Sequence, residues 1–194
     1  MEIKPRQLEI IEAAGEILTQ SGLAGLTTKN LAAKMGFSES ALYRHFKSKE
    51  DIVLTMLKYL AMDMDERFAK TISNFESPQE KLKALFNSQF NFFKQKPHFM
   101  IAVFSDGLLE ASQEISKAII KIMAITKKHL IQIIKEGQKQ HQFTNDVPVE
   151  DLVHIIMGSF RLHMLQWHMS GYTFDLKSKG SKLMNNIFTL MSPK

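Results

Sequence analysis

The chain has 194 residues, of which 44% are hydrophobic, and a formal net charge of +5 at pH 7. It contains no cysteine, which excludes disulfides, a cysteine nucleophile and cysteine metal ligands. No apolar run approaches the ~18 residues that suggest a membrane span, and the first ten residues lack a signal-peptide apolar region. We therefore expect a cytoplasmic protein with no membrane contact.

Apolar residues recur at helical spacing along almost the whole chain, and no convincing alternating pattern predicts a strand. The first helix is predicted over about 5–20, with Pro5 in its first turn and Gly22 after its end. Its apolar face is predicted to contain Leu8, Ile11, Ala14 and Leu18.

Two short helices are predicted next, over about 28–35 and 39–46. Thr27 and Ser38 stand in the N-cap positions, where a hydroxyl oxygen accepts a bond from a free main-chain amide. Gly36 lies just past the end of the first of them, where a left-handed residue closes a helix. Helix, tight turn, helix is the helix-turn-helix arrangement, whose second helix can enter the major groove of DNA.

Positive charge is concentrated in this segment. Residues 27–49 contain five basic residues against one acid, Glu39. Such a cluster attracts phosphates and makes nucleic-acid binding dependent on salt.

The remainder of the chain predicts six more helices, separated by Pro, Gly or polar breaks, which makes nine in all. Their expected ranges are about 48–73, 78–96, 97–106, 112–137, 148–170 and 175–191.

The order of motifs over about the first 55 residues resembles the tetracycline-repressor (TetR) family of bacterial transcription regulators. Ala41 stands where that family usually has Thr, which removes one expected phosphate contact. The matching pieces are Ile10-Ile11-x-Ala13-Ala14, Gly22, Thr27-Thr28, Leu31-Ala32, Gly36-Phe37-Ser38, Ala41-Leu42-Tyr43-x-His45-Phe46 and Ser48-Lys49-Glu50.

The resemblance implies an all-α, TetR-like fold, with a three-helix helix-turn-helix head and a six-helix domain for ligand binding and dimerisation. We expect the DNA-binding domain to cover 1–50, with the helix-turn-helix motif at 27–46. A connecting helix is expected from 48, and the second domain is expected to cover 51–194.

The resemblance also implies which residues meet double-stranded DNA. Those at helix starts would meet phosphates, and Arg44 could pair with guanine or with a phosphate. The alternative is that the Thr residues only cap helices and the basic residues form a solvated face. The candidates are Thr27, Thr28, Lys29, Ser38, Ser40, Tyr43, Arg44, His45 and Lys49. Leu31, Ala32, Leu42 and Phe46 are interpreted as the core of the head.

Soft and aromatic side chains are frequent in the later helices, and Met and Phe linings adapt to varied apolar ligands. In TetR-like proteins the helices from the fourth to the eighth enclose a ligand cavity, so a small apolar effector is expected. For any single residue the alternative is ordinary core packing. The pocket candidates are Phe90, Phe93, Phe99, Met100, Phe104, Met123, His129, Phe160, His163, Met164 and Trp167, with Arg161 and Gln166 as further polar possibilities.

The last two predicted helices would pair between subunits, as the resemblance implies, so a homodimer is expected. The alternative is burial inside one subunit, because the sequence does not separate the two faces. The interface candidates are Leu152, Ile155, Ser159, Leu162, Met184, Ile187, Phe188 and Met191.

The sequence shows no catalytic constellation, so an enzyme is not expected, nor is a cofactor. The spacing of His154, His163 and His168 does not match a helical zinc site, so no metal site is predicted. We expect a ligand-responsive DNA-binding regulator, associated with the nucleoid, that represses from a palindromic operator and is released by the effector. The sequence does not decide between repression and activation of transcription. The alternative hypothesis is an architectural or partner-recruiting DNA-binding protein of the same fold without an inducer.

Overall fold

The computed structural model describes residues 3–104, 106–110 and 112–193, with all their side chains except those of Asp106 and Leu109. Within these residues the chain forms ten α-helices and no strand, which confirms the all-α class. The helices are α1 (Pro5–Gly25), α2 (Thr28–Met35), α3 (Glu39–Leu42), α4 (Lys49–Ile72), α5 (Pro78–Gln95), α6 (Pro97–Phe104), α7 (Asp106–Leu109), α8 (Gln113–Lys139), α9 (Val149–Met169) and α10 (Leu176–Met191).

Nine of these helices correspond to predicted ones, and the additional helix is α7. The expectation of six helices after the head is therefore corrected to seven in the described part of the chain. Because α7 has only four residues, it is too short to show the apolar period on which the prediction rests.

The first helix extends past its predicted end. Gly22 has φ 62° and ψ −166°, a non-helical conformation that glycine adopts without steric cost, and helical structure then resumes as far as Gly25. Of the predicted apolar face, Ile11, Ala14 and Leu18 are buried, whereas Leu8 is only partly buried.

Contacts divide the chain into two compact units. The first comprises Met1–Met62 and Lys96–Ile122, and the second comprises Asp63–Gln95 and Met123–Lys194. In the first unit α1 packs against α2 and α6, and α2 packs against α3. In the second unit α10 packs against α5 and α9. The first unit therefore contains α6 as well as the three helices of the predicted head, and the functional boundary expected at residue 50 stays a prediction.

A partly buried cation joins α4 and α5 within the second unit. Arg67 of α4 donates to Asp63 Oδ2 (3.1 Å), Ser88 Oγ (2.9 Å) and Gln89 Oε1 (3.0 Å). Its guanidinium carbon also lies 4.5 Å from the centroid of the Phe92 ring. A charge that loses part of its hydration needs such partners, and this network holds α4 against α5 within the second unit.

Candidate DNA interface and effector region

Local hydrogen bonds shape the helix-turn-helix segment as the sequence predicts. Thr27 Oγ1 accepts from Asn30 N (3.1 Å), and Ser38 Oγ accepts from Ala41 N (3.2 Å). Gly36 has φ 67° and ψ 29°, the left-handed conformation expected at the end of α2. The two N-caps and the glycine turn are thus confirmed.

The second helix of the motif is shorter than predicted. The α-helix ends at Leu42, and residues 43–45 continue as hydrogen-bonded turns. Arg44 N donates to Ala41 O (3.3 Å) and His45 N donates to Leu42 O (3.0 Å). These bonds reach back three residues rather than four, so the recognition element tightens in its second half.

The small core of the head contains the residues predicted for it. Leu31, Ala32, Leu42 and Phe46 are each at most 2% exposed. Above this core, Thr28 Oγ1 donates to Glu39 Oε2 (2.7 Å), a bond that joins the starts of α2 and α3 and that sequence reasoning missed.

Six of the nine predicted DNA contacts are exposed; they are Thr27, Lys29, Ser38, Ser40, Tyr43 and Arg44. Tyr43 is 51% exposed. Ser40 Oγ lies 2.9 Å from Ser38 Oγ. Among the described residues Lys29 and Arg44 have no ion pair or side-chain hydrogen bond, so both charges are available to an outside partner.

Other basic residues of the cluster have partners within the first unit. Lys34 Nζ lies 2.6 Å from Glu16 Oε2, and Lys49 Nζ donates to Leu23 O (3.4 Å). His45 is partly buried and its carbonyl accepts from Gln7 Nε2 (3.2 Å). Glu16, which pairs with Lys34, belongs to α1. The positive charge that faces solvent in residues 27–49 is therefore smaller than the sequence count indicates.

Three pocket candidates lie in the first unit. Phe99 and Met100 are at most 1% exposed, and Phe104 is partly buried. The Phe99 ring packs against Tyr59 (centroids 5.8 Å apart) and against His98 (4.4 Å). These side chains form part of the packing between α4 and α6.

The second unit contains an aromatic cluster. Phe160 of α9 lies between three rings of α5, with centroid distances of 5.4 Å to Phe86, 5.5 Å to Phe90 and 6.4 Å to Phe93. His163 approaches the Phe90 ring at 5.8 Å. The structure thus brings together Phe90, Phe93, Phe160 and His163, four of the eleven pocket candidates.

The remaining candidates of the second unit are more dispersed. Met164 and Trp167 are buried, whereas Met123 is 43% exposed and Gln166 is also exposed. His129 Nε2 lies 2.7 Å from Asp65 Oδ1. Hydrogen bonds from His129, and secondarily from Lys128, lower the pKa of the Asp65 carboxyl.

The interface candidates separate into two groups. Five of them are at most 5% exposed in a single chain, which leaves little side-chain surface for a second subunit; they are Leu152, Met184, Ile187, Phe188 and Met191. Ile155 (49% exposed) and Leu162 (55%) instead lie on the outer face of α9, and Ser159 between them is partly exposed. Met169 (76%) extends this row and was not predicted, because sequence alone does not distinguish an outward Met from a core one.

No helix within the described ranges is long and apolar enough to cross a membrane. In the same part of the chain, no group of three or more His, Asp or Glu side chains is placed to hold a metal ion.

Family comparisons agree with this geometry. The family model described as "Bacterial regulatory proteins, tetR family" matches residues 10–56, and the one described as "YsiA-like protein, C-terminal region" matches residues 60–192. The chain belongs to the TetR family of bacterial transcription regulators. The helix-turn-helix head and the prediction of a DNA-binding regulator are thereby confirmed, and this TetR family consists of regulators rather than enzymes.

The similarity to known relatives covers nearly the whole of this chain. The fatty acid metabolism regulator protein of Bacillus subtilis (strain 168) is 23% identical over 188 residues, which are 97% of this chain and 94% of the relative. The transcriptional repressor KstR2 of Mycolicibacterium smegmatis is 23% identical over 180 residues, 92% of this chain and 87% of the relative. The crystal structure of FadR from Bacillus subtilis in complex with stearoyl-CoA has a TM-score of 0.80 and 24% identity, with 96% of this chain and 97% of that one covered.

Proposed function

We propose that this protein binds a palindromic operator as a homodimer and represses transcription until a long apolar effector releases it. Fatty acyl compounds are the first effector class to test. The observation that supports DNA binding is the exposure of Lys29, Ser40, Tyr43 and Arg44 on a segment whose helices are capped and rest on a buried core. An operator on the chromosome would place the protein at the nucleoid.

Two heads are needed because one short recognition element reads only a few base pairs. Dimeric helix-turn-helix proteins read two half-sites about 34–36 Å apart, or a multiple of that distance. The outer face of α9 supplies an apolar surface for the second copy, with Ile155, Leu162 and Met169 spaced seven residues apart and open in the single chain. Ser159 and Gly158 lie within this row, and a Cβ built at Gly158 meets no atom within 4 Å.

The effector class is supported by the chemistry of the second unit and by the relatives. The rings of Phe86, Phe90 and Phe93 on α5 pack against Phe160 of α9. Aromatic side chains of this kind suit an extended apolar ligand. One relative is named a fatty acid metabolism regulator, and one solved neighbour contains stearoyl-CoA. Release requires that the effector bind the operator-competent and operator-incompetent states unequally.

The test is a binding titration with labelled DNA from the region upstream of the protein's own coding sequence. We expect an affinity well above that for random DNA of the same length, with a steep dependence on salt. Addition of stearoyl-CoA or stearic acid should lower the affinity, whereas coenzyme A alone should not. Equal affinity for random DNA would contradict operator recognition. If no acyl compound alters operator binding, the result would instead favour the alternative hypothesis of an architectural or partner-recruiting DNA-binding protein without an inducer.

A further inference from the structure

Glu39 places a negative charge on a surface that is otherwise basic. It is the one acid in residues 27–49, and its side chain is exposed. Tyr43 N donates to Glu39 O (3.1 Å), so the exposed Tyr43 lies one helical turn after Glu39 on the same side of the recognition element. The carboxylate of Glu39 therefore belongs to the surface that the proposed function places against DNA.

One of the two carboxylate oxygens is held by the preceding helix. Thr28 Oγ1 donates its single proton to Glu39 Oε2 (2.7 Å). Among the described residues Glu39 has no ion pair and no second side-chain hydrogen bond, so Oε1 is open to a donor from outside the chain. The bond to Thr28 thus limits where this open oxygen can lie.

The chemistry of DNA defines what such an oxygen can meet. A carboxylate beside phosphates weakens binding, because like charges repel. The hydrogen-bond donors in the major groove are the amino groups of cytosine and adenine, and glutamate typically accepts from the amino group of cytosine. In helix-turn-helix proteins the first residues of the recognition helix contact the base edges, and Glu39 is the first residue of α3.

We propose that Glu39 is a specificity-determining residue, whose Oε1 accepts a hydrogen bond from the amino group of one cytosine in each operator half-site. Thr28 is its positioning residue, because the bond from Oγ1 fixes the other carboxylate oxygen. The inference rests on the proposed function and deepens it, since it names one base that the DNA-binding surface selects.

The test is selection of binding sites from a pool of random DNA duplexes, followed by sequencing. The wild-type protein should select sites in which one position of each half-site is cytosine. Replacement of that C·G pair should weaken binding about tenfold, a size typical of a good contact to a base edge. Glu39→Ala should lose the preference at this position and keep the preferences at all others.

Two further variants separate the base contact from the charge. Glu39→Gln should shift the selected base from cytosine to adenine, because glutamine pairs with N6 and N7 of adenine. Thr28→Val keeps the shape of threonine but has no hydroxyl, so the preference for cytosine should fall without a shift to another base. Glu66→Gln, the same substitution at an exposed glutamate of α4, is the control and should select the wild-type site.

Two results would overturn the inference. Identical base preferences in the wild type, Glu39→Ala and Glu39→Gln would show that the carboxylate contacts no base, even if both variants bound all DNA more tightly. Loss of every preference at once in Glu39→Ala, with an unchanged thermal melt, would show that Glu39 shapes the whole recognition element instead.

Failure of the inference and failure of the proposed function give different results. If the wild type selects a palindromic site that the Glu39 variants select equally, the operator function stands and only the role of Glu39 is wrong. If the wild type selects no common sequence, operator recognition is contradicted and the inference falls with it.

Discussion

Gly15 of α1 lies directly against the imidazole of His98 on α6. A Cβ built at Gly15 would be 2.5 Å from both Cδ2 and Cγ of that ring, closer than carbon atoms can approach. The same contact includes Glu12, whose Oε1 lies 2.5 Å from Lys96 Nζ and whose Oε2 lies 3.6 Å from His98 Nε2. The missing side chain at position 15 is therefore what lets α6 pack closely on the first helix of the DNA-binding head.

Gly15→Ala should destabilise the protein. Alanine is favoured over glycine inside a helix by about 1 kcal/mol. The clash with the buried His98 ring should outweigh this gain, since overpacking typically costs about 1–3 kcal/mol. The measurement is the free energy of unfolding in urea. In the double variant Gly15→Ala/His98→Ala the ring is absent, so the Gly15→Ala change should no longer destabilise. A single variant more stable than the wild type would show that the ring can move aside.

This contact illustrates what the sequence could not predict. Residues 15 and 98 are far apart along the chain, and neither a glycine in a helix nor a lone histidine indicates its partner. The caps of the helix-turn-helix were predictable because their bonds are local: Thr27 reaches Asn30, three residues on. Local hydrogen bonds therefore made the helix-turn-helix predictable from sequence. The packing of α1 on α6 was not predictable, because it depends on residues that are distant in sequence.

The two faces of α9 show the same limit. Leu152 and Ile155 have similar side chains and both were interface candidates, yet one is 4% exposed and the other 49%. Helical period groups apolar residues into stripes, but it does not state which stripe meets the rest of the chain. Aromatic content predicted an apolar region correctly without showing that Phe160 is at the centre of its cluster or that Met123 is on the surface.

Acidification should lower stability through His98 and His163. Burial is the main cause that lowers the pKa of each ring below its usual 6.5. Below about pH 6.5 the unfolded chain therefore binds more protons than the folded one, and stability falls as pH drops toward the folded pKa. Urea unfolding near pH 7.5 and pH 5.5 measures this slope.

Phenylalanine variants test the source of this pH dependence. His98→Phe and His163→Phe should each flatten the slope, because each removes one group that takes up a proton on unfolding. The control is His154→Phe, the same substitution at an exposed position of α9. If both variants retained the whole slope, other groups would be responsible for the acid sensitivity.

Arg44→Ala should weaken operator binding more than removal of a positive charge elsewhere. A bidentate contact to guanine contributes about 1–3 kcal/mol of discrimination, so the preference for operator over random DNA should fall roughly tenfold to a hundredfold. Lys58→Ala removes an equal charge from an exposed site on α4 and is the matched control. Arg44→Lys keeps the charge but not the two-pronged geometry. If it retains the full preference, Arg44 contacts a phosphate instead.

Leu162→Glu should convert the proposed dimer into monomers. Leu162 is 55% exposed in the single chain, so a glutamate there leaves the protomer fold intact, but a second copy would bury its charge without a partner. Light scattering during size-exclusion chromatography measures the mass, and Ile120→Glu on α8, at a 61% exposed isoleucine, is the control.

The monomer should also lose most of its operator affinity, because two linked heads bind far more tightly than one. A Leu162→Glu protein that stays dimeric would place the interface away from this face of α9. A monomer with full operator affinity would contradict the proposal that the two heads of a dimer bind the two halves of a palindromic operator.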